Sequence, residues 1–219
     1  ALPIAIGGVH AIMCTEQIKR DGVWDYIGVG ECDLALPELI DRLQAGDPAV
    51  QKVSNFHIRQ SDGSYTGNRL GPYPDLNTLA PKDYEIFDLP HMLRRKNGWQ
   101  SLLTSRGCPY RSTYCFIWKV VERYLEEGGY SRKSYLRHYS TKRLIHEIKE
   151  LKKRHPYIET FIIDDDLFTL NQQHCLELAR AYTDAGVNVP FVLNAHVQAF
   201  NEPIAKALAD SPCMIVKFG

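Results

Sequence analysis

Thr104-Ser-Arg-Gly-Cys108-Pro-Tyr-Arg-Ser112-Thr-Tyr-Cys115 is the stretch on which the reading of this chain turns. Trp99–Thr104 reads as a strand, so the two cysteines fall on a loop at a strand's carboxyl end. In a β/α barrel, loops in that position build the active-site face. Gly107 permits a close backbone approach and Pro109 stiffens the turn. Soft thiolates gathered on a loop that can wrap around a metal centre are what an iron–sulfur cluster requires.

Strand and helix patterns alternate beyond this loop. Ser140 or Thr141 can cap a helix reaching Arg154, with Leu144, Ile145, Ile148 and Leu151 on one face. Tyr157–Ile163 reads as a strand closed by Asp164-Asp165-Asp166, Asn171–Gly186 as a helix, and Val189–Leu193 as a strand. Glu202–Ala209 reads as a helix and Met214–Phe218 as the next strand. Repeated strand–helix units predict a parallel sheet covered by helices, spaced as part of a β/α barrel.

Upstream of the loop the chain is also α/β over residues 1–46, with a strand at Leu2–Ile6, a helix near Thr15–Asp21, a strand at Tyr26–Val29 and a helix through Ala35–Gln44. Residues 47–97 carry turn chemistry at Asp62-Gly63, Gly67-Asn68 and Gly71-Pro72, and prolines at 72, 74, 81 and 90, which suits a packed connecting arm. The expected division is 1–50, 51–97 and 98–219. Both ends lie in strand-like runs, so the chain is read as a piece of a longer protein.

The 219 residues are ordinary in composition, 44% apolar and 24% charged, with 26 basic and 26 acidic residues. That balance argues against a nucleic-acid binder, and no run approaches the roughly 20 apolar residues of a membrane span. The basic residues of Lys142-Arg143 and Lys149–Arg154 fit a solvated helix face. Six scattered cysteines do not suggest a disulfide framework, and a reducing cytoplasm is the expected location.

The loop resembles the cluster-binding wording of the radical S-adenosylmethionine superfamily, C-x-x-x-C-x-x-C with an aromatic before the last cysteine. It is most similar to the subgroup with an N-terminal cobalamin-binding domain, where S-R-G-C-P-Y-x-C-x-F-C is typical. Ser105, Arg106, Gly107, Pro109, Tyr110 and Arg111 agree, Cys108 and Cys115 match the first and third cysteines, and Tyr114 matches the aromatic. Ser112 stands where the second cysteine belongs. Phe161–Asn171 and Asn194-Ala195 resemble the ends of the family's second and third strands.

The resemblance implies the C-terminal part of a Rossmann-like cobalamin-binding domain followed by the first half of a partial TIM barrel. It also implies a four-iron four-sulfur cluster on Cys108, Cys115 and the Ser112 position, and S-adenosylmethionine cleaved reductively to start radical chemistry. Tyr114, Asp164, Asp166 and Asn194 are the expected cofactor contacts of the barrel, and Gly7 and Gly8 those of a bound cobalamin. A small-molecule or natural-product substrate and an electron donor such as flavodoxin or ferredoxin would complete the system. Ser112 is a much harder ligand than a thiolate, so this chain is expected to be impaired. An engineered replacement, a natural degeneration and a sequence error are equally open as its origin. A non-catalytic scaffold is the rival reading, while a zinc site on Cys108, Cys115 and a histidine such as His138 lacks paired C-x-x-C spacing. Trp118 and the tyrosines at 124, 130, 135 and 139 either cover the loop or shape a substrate pocket.

Overall fold

The chain runs β1 (Ala5–Ile6), α1 (Gly8–Met13), α2 (Thr15–Asp21), β2 (Tyr26–Gly28), α3 (Ala35–Ala45), β3 (Phe56–Arg59), β4 (Tyr65–Gly67), α4 (Leu89–Arg95), β5 (Trp99–Leu102) and β6 (Ser105–Arg106). It continues through α5 (Phe116–Arg123), a π-helical turn (Tyr124–Gly128), α6 (Arg132–Tyr135), β7 (Arg137–His138), α7 (Thr141–Arg154), β8 (Thr160–Ile163), α8 (Gln172–Asp184), β9 (Phe191–Ala195), α9 (Glu202–Ala209) and β10 (Cys213–Phe218). This computed structural model describes residues 2–128 and 130–219. Two compact units result, one from residues 1–74 with 109–135, the other from 75–108 with 136–219.

In the first unit a four-stranded sheet has the order β1-β2-β3-β4. β1 and β2 are parallel, while β3 and β4 add an antiparallel hairpin. Alternation along β2 sends its side chains to two cores. Ile27 packs with Ala11, Ile18, Leu70, Val120 and Tyr124, whereas Tyr26 packs with Ala35, Leu39, Phe56 and Ile58. The hairpin turn is set by Asp62, whose carboxylate accepts the Ser64 N–H at 2.9 Å, and by Gly63 at φ +83°.

The second unit is built on a parallel sheet of order β10-β9-β8-β5. Its inward residues include Leu102, Phe161, Ile163, Phe191 and Leu193, and the apolar stripes of α7 (Leu144, Ile148, Leu151) and α8 (Cys175, Leu178, Tyr182) close over them. Each helix starts where a polar side chain satisfies an orphan N–H. Ser140 accepts from the Arg143 N–H at 3.4 Å, Asn171 from the His174 N–H at 3.1 Å, and Asn201 from the Ile204 N–H at 3.1 Å. These strand–helix repeats are the parallel α/β arrangement expected from the sequence.

The helix α5 lies in a region for which the sequence offered no regular element. Phe116, Val120 and Tyr124 nevertheless recur every four residues, and Val120 and Tyr124 are buried in the first unit's core. The helix α1 likewise begins at Gly8, between the expected strand Leu2–Ile6 and the expected helix near Thr15–Asp21.

Candidate functional site

The carboxyl ends of β5 and β8 bring the approach to Cys108 and the three aspartates into the second unit. Burial alternates along β8 and past its end: Phe161 and Ile163 face the core, and Asp165 continues that phase at 1% exposure. Its carboxylate is met by the chain leaving β5. Oδ1 accepts the N–H groups of Thr104 (2.6 Å) and Ser105 (3.1 Å). Oδ2 accepts the Thr104 hydroxyl and the Ser105 hydroxyl, the latter at 2.6 Å. Two backbone donors and two hydroxyls therefore converge on one buried side chain.

Burial pushes the Asp165 carboxyl above its ordinary range, and the four donors from Ser105 and Thr104 oppose that rise by stabilising the anion. Asp166 points outward, but its Oδ2 accepts the Gly107 N–H at 3.2 Å. Its pKa is also raised, by desolvation first, against the lowering pull of that N–H. Gly107 itself sits at φ +105°, a conformation open to glycine and strained for other residues. The next residue is Cys108.

A histidine pair lies behind this anchor. His174 Nε2 is 3.3 Å from the Thr104 hydroxyl oxygen. Because that hydroxyl gives its proton to Asp165, the contact requires His174 to donate through Nε2. Burial lowers the His174 pKa to about 4, so the ring is neutral near pH 7. The His138 ring centroid is 4.7 Å away, and its pKa too is lowered by burial. Thr104, Asp165 and His174 were not singled out by the sequence reading; the inward phase of Phe161 and Ile163, extended by two residues, is the signal that points to Asp165.

The expected site residues are distributed as follows. Cys108, Asp164, Asp166 and Asn194 belong to the second unit; Gly7, Gly8, Ser112, Tyr114 and Cys115 belong to the first. Asp164 is exposed, and Asn194, on β9, reaches the Asp165 carbonyl through Nδ2 at a long 3.4 Å. In the first unit the Ser112 carbonyl accepts the Cys115 N–H at 3.0 Å, closing a turn that leads into α5 at Cys115. Tyr114, at 93% exposure, covers nothing there. The Arg111 guanidinium lies 5.1 Å from the Trp118 ring centre.

The helix α5 and the turn after it are tied into the first unit by polar contacts. Arg123 Nη1 donates to the Ile12 carbonyl (2.9 Å) and to the Thr15 hydroxyl (3.0 Å). The Tyr124 hydroxyl accepts the Glu31 N–H at 2.7 Å, and the ring stacks on Tyr73 with centroids 4.2 Å apart. Gly28 and Gly30 belong to the strand end this tyrosine touches: a Cβ on Gly30 would stand 2.5 Å from the Tyr124 hydroxyl.

Among the described residues, no three His, Cys, Asp or Glu side chains converge to hold a metal ion. An open groove of about 460 Å³ runs between α8 and α9, lined by Leu176, Arg180, Pro203 and Lys206, and none of the site residues lines it.

No protein-family model matches the chain. Among curated proteins, an uncharacterized methyltransferase of Pyrococcus horikoshii, PH0819, is 25% identical over 224 residues, covering 99% of this chain and 44% of that protein. The cobalamin-dependent radical SAM methyltransferase TokK of Streptomyces tokunonensis is 25% identical over 206 residues, covering 87% of this chain and 28% of TokK. The chain is a homologue of the cobalamin-dependent radical S-adenosylmethionine methyltransferases. The hopanoid C-3 methylase of Methylococcus capsulatus is a further relative, 24% identical over 195 residues, with 86% of this chain and 33% of that protein covered. The fold is shared with the cobalamin-dependent S-adenosylmethionine radical enzyme OxsB, at a TM-score of 0.73 and 15% identity over 99% of this chain and 30% of OxsB. The chain thus spans less than half the length of the curated relatives it matches.

Proposed function

We propose that this chain is the central portion of a radical S-adenosylmethionine enzyme, acting with cobalamin in methyl transfer or rearrangement on a small-molecule or natural-product substrate. The observation that carries the reading is the loop ending in Cys108, held at the carboxyl edge of a parallel sheet by aspartates of the neighbouring strand. That is the edge at which β/α proteins place their chemistry. Residues 1–50 are assigned to the end of a cobalamin-binding-like domain, 51–97 to a connecting arm and 98–219 to the barrel. Gly7 and Gly8 are the proposed approach for cobalamin, and Tyr114, Asp164, Asp166 and Asn194 for S-adenosylmethionine. An external donor such as flavodoxin or ferredoxin would supply electrons in a reducing cytoplasm. No helix among the described residues is long and apolar enough to cross a membrane.

The donor set does not fit a four-iron four-sulfur cluster as it stands. Three thiolates are required by the family's wording, and the loop offers Cys108, Cys115 and the hydroxyl of Ser112. An alcohol is a hard ligand that resists deprotonation, so the third iron lacks a matched donor. The present chain is therefore proposed to be impaired, with its parent function that of the family. Anaerobic reconstitution with iron and sulfide, comparing the chain with Ser112→Cys in the full-length protein, tests both halves. Four irons bound and S-adenosylmethionine cleaved by the serine form would overturn the impairment. No cleavage after cysteine is restored would favour the second reading, a non-catalytic scaffold, for which the missing thiolate is the supporting observation.

A further inference from the structure

We infer that Asp165 and Asp166 are positioning residues for Cys108: the two carboxylates template the backbone of Thr104–Gly107 and so fix where the Cys108 thiol is presented. Three N–H groups of that four-residue approach, those of Thr104, Ser105 and Gly107, end on these two side chains. Asp165 holds the start of the approach inside the core, where Thr104 is fully buried. Asp166 holds its last residue from the solvent side, at the one position whose φ of +105° needs glycine. The arrangement has a directional logic. A strand ends at Leu102, and β6 pairs only Ser105 and Arg106 with His138 and Arg137. Beyond that short pairing, the N–H of Gly107, the residue before the cysteine, donates to the Asp166 carboxylate.

Charge makes the anchoring effective. A hydrogen bond to an ionised acceptor is roughly twice as strong as a neutral one, and losing one whose acceptor lies at the surface frees a local opening rather than the whole fold. Asp166 is exposed and Asp165 is buried, so the two can be separated by substitution.

The metal-ligand role of Cys108 rests on the function proposed above; its presentation by the aspartates does not, and the experiment measures presentation alone. The reduced full-length chain is treated with iodoacetamide at fixed pH, and the alkylation rate of each cysteine is followed by peptide mass spectrometry. Asp166→Ala removes the Gly107 acceptor and should alkylate Cys108 on the order of 10-fold faster, with Cys115 and Cys213 unchanged. Asp166→Asn keeps a carbonyl oxygen for the same N–H and should return the rate to within about 2-fold of the parent. Asp165→Ala, which removes the acceptor of the Thr104 and Ser105 N–H groups, should accelerate Cys108 as well, provided Cys175, buried in the core, stays protected; that protection reports that the fold survives. An unchanged Cys108 rate in Asp166→Ala overturns the inference. So does a uniform acceleration of all the cysteines, which would mean general loosening.

Discussion

Replacing Asp165 with alanine should be among the most costly single changes in the second unit. The substitution strands two buried N–H groups, those of Thr104 and Ser105, whose acceptor at 2.6 and 3.1 Å disappears. It also removes the acceptor of both hydroxyls, although these can rotate toward other partners. An unsatisfied buried donor costs about 1–3 kcal/mol, so the two N–H groups together lose about 2–6 kcal/mol. The carboxylate's own desolvation, visible in its raised pKa, is relieved and offsets part of that loss. A net cost near 3–4 kcal/mol follows, a large share of the 5–15 kcal/mol that holds an ordinary domain together. Asp165→Asn retains an oxygen for both N–H groups and offers an amide to the hydroxyl oxygens, so it should cost only about 1 kcal/mol. Urea titration gives the totals, and amide hydrogen exchange over Trp99–Gly107 locates the effect, with β2 of the first unit as reference. A loss below about 1 kcal/mol for the alanine variant, or equal losses for alanine and asparagine, would refute the reasoning.

Acid should weaken the same region through His174. Its folded pKa, lowered to about 4 from 6.5, means the unfolded chain binds the proton first; the stability held above pH 6.5 is lost as pH falls toward 4, by at most about 3 kcal/mol. Asp165 works with the opposite sign, since a raised carboxyl pKa favours the fold below 3.8 and loses that contribution as pH rises, so the parent-minus-His174→Gln difference in urea midpoint is the quantity to plot against pH. In the first unit, Tyr124→Phe should cost about 1 kcal/mol by leaving the Glu31 N–H without its acceptor, measured by thermal or urea unfolding. Gly30→Ala should cost more in the parent than in the Tyr124→Phe background, because the new methyl meets the Tyr124 hydroxyl at 2.5 Å; strict additivity in that double-mutant cycle would contradict the geometry.

Much of the second unit was legible because its signals are local. The predicted helix over Glu202–Ala209 is observed with those bounds, and Ser140 caps α7 as its place before an apolar stripe suggested. What escaped the sequence depended on partners distant along the chain. Tyr124 reads as one of several tyrosines that either cover the loop or shape a pocket until Glu31 and Tyr73 are set against it, 93 and 51 positions earlier. Three successive aspartates look equivalent in sequence, and alternation along a strand puts Asp164 and Asp166, the expected cofactor contacts, on one face, which the structure leaves exposed. The alternation that grouped them also sent Asp165 inward, but nothing local announced that Thr104 and Ser105 would meet it there. In the first unit, the hairpin of β3 and β4 was read as part of an arm; its turn residues were recognised, and its pairing with β2 was a long-range fact.

The placement of Ser112 explains how a chain can keep this fold while lacking a thiolate. The approach to Cys108 is shaped by carboxylates on β8's carboxyl side, and the departure from Cys115 is shaped by Arg123 and Tyr124 in the first unit. Residue 112 enters through its backbone carbonyl, which accepts the Cys115 N–H and would do so equally with a cysteine side chain. Exchanging sulfur for oxygen at this position therefore asks nothing of the packing, because serine and cysteine differ by one atom and the turn uses neither. Stability and metal chemistry are carried by separate atoms here. Ser112→Cys should accordingly leave the urea midpoint of the metal-free protein unchanged within about 0.5 kcal/mol, the scatter of neutral surface changes. Any iron it then gains would be attributable to the restored donor and not to a repaired fold. A large shift in metal-free stability would show instead that residue 112 takes part in the packing, and the separation argued from its backbone contact would fail.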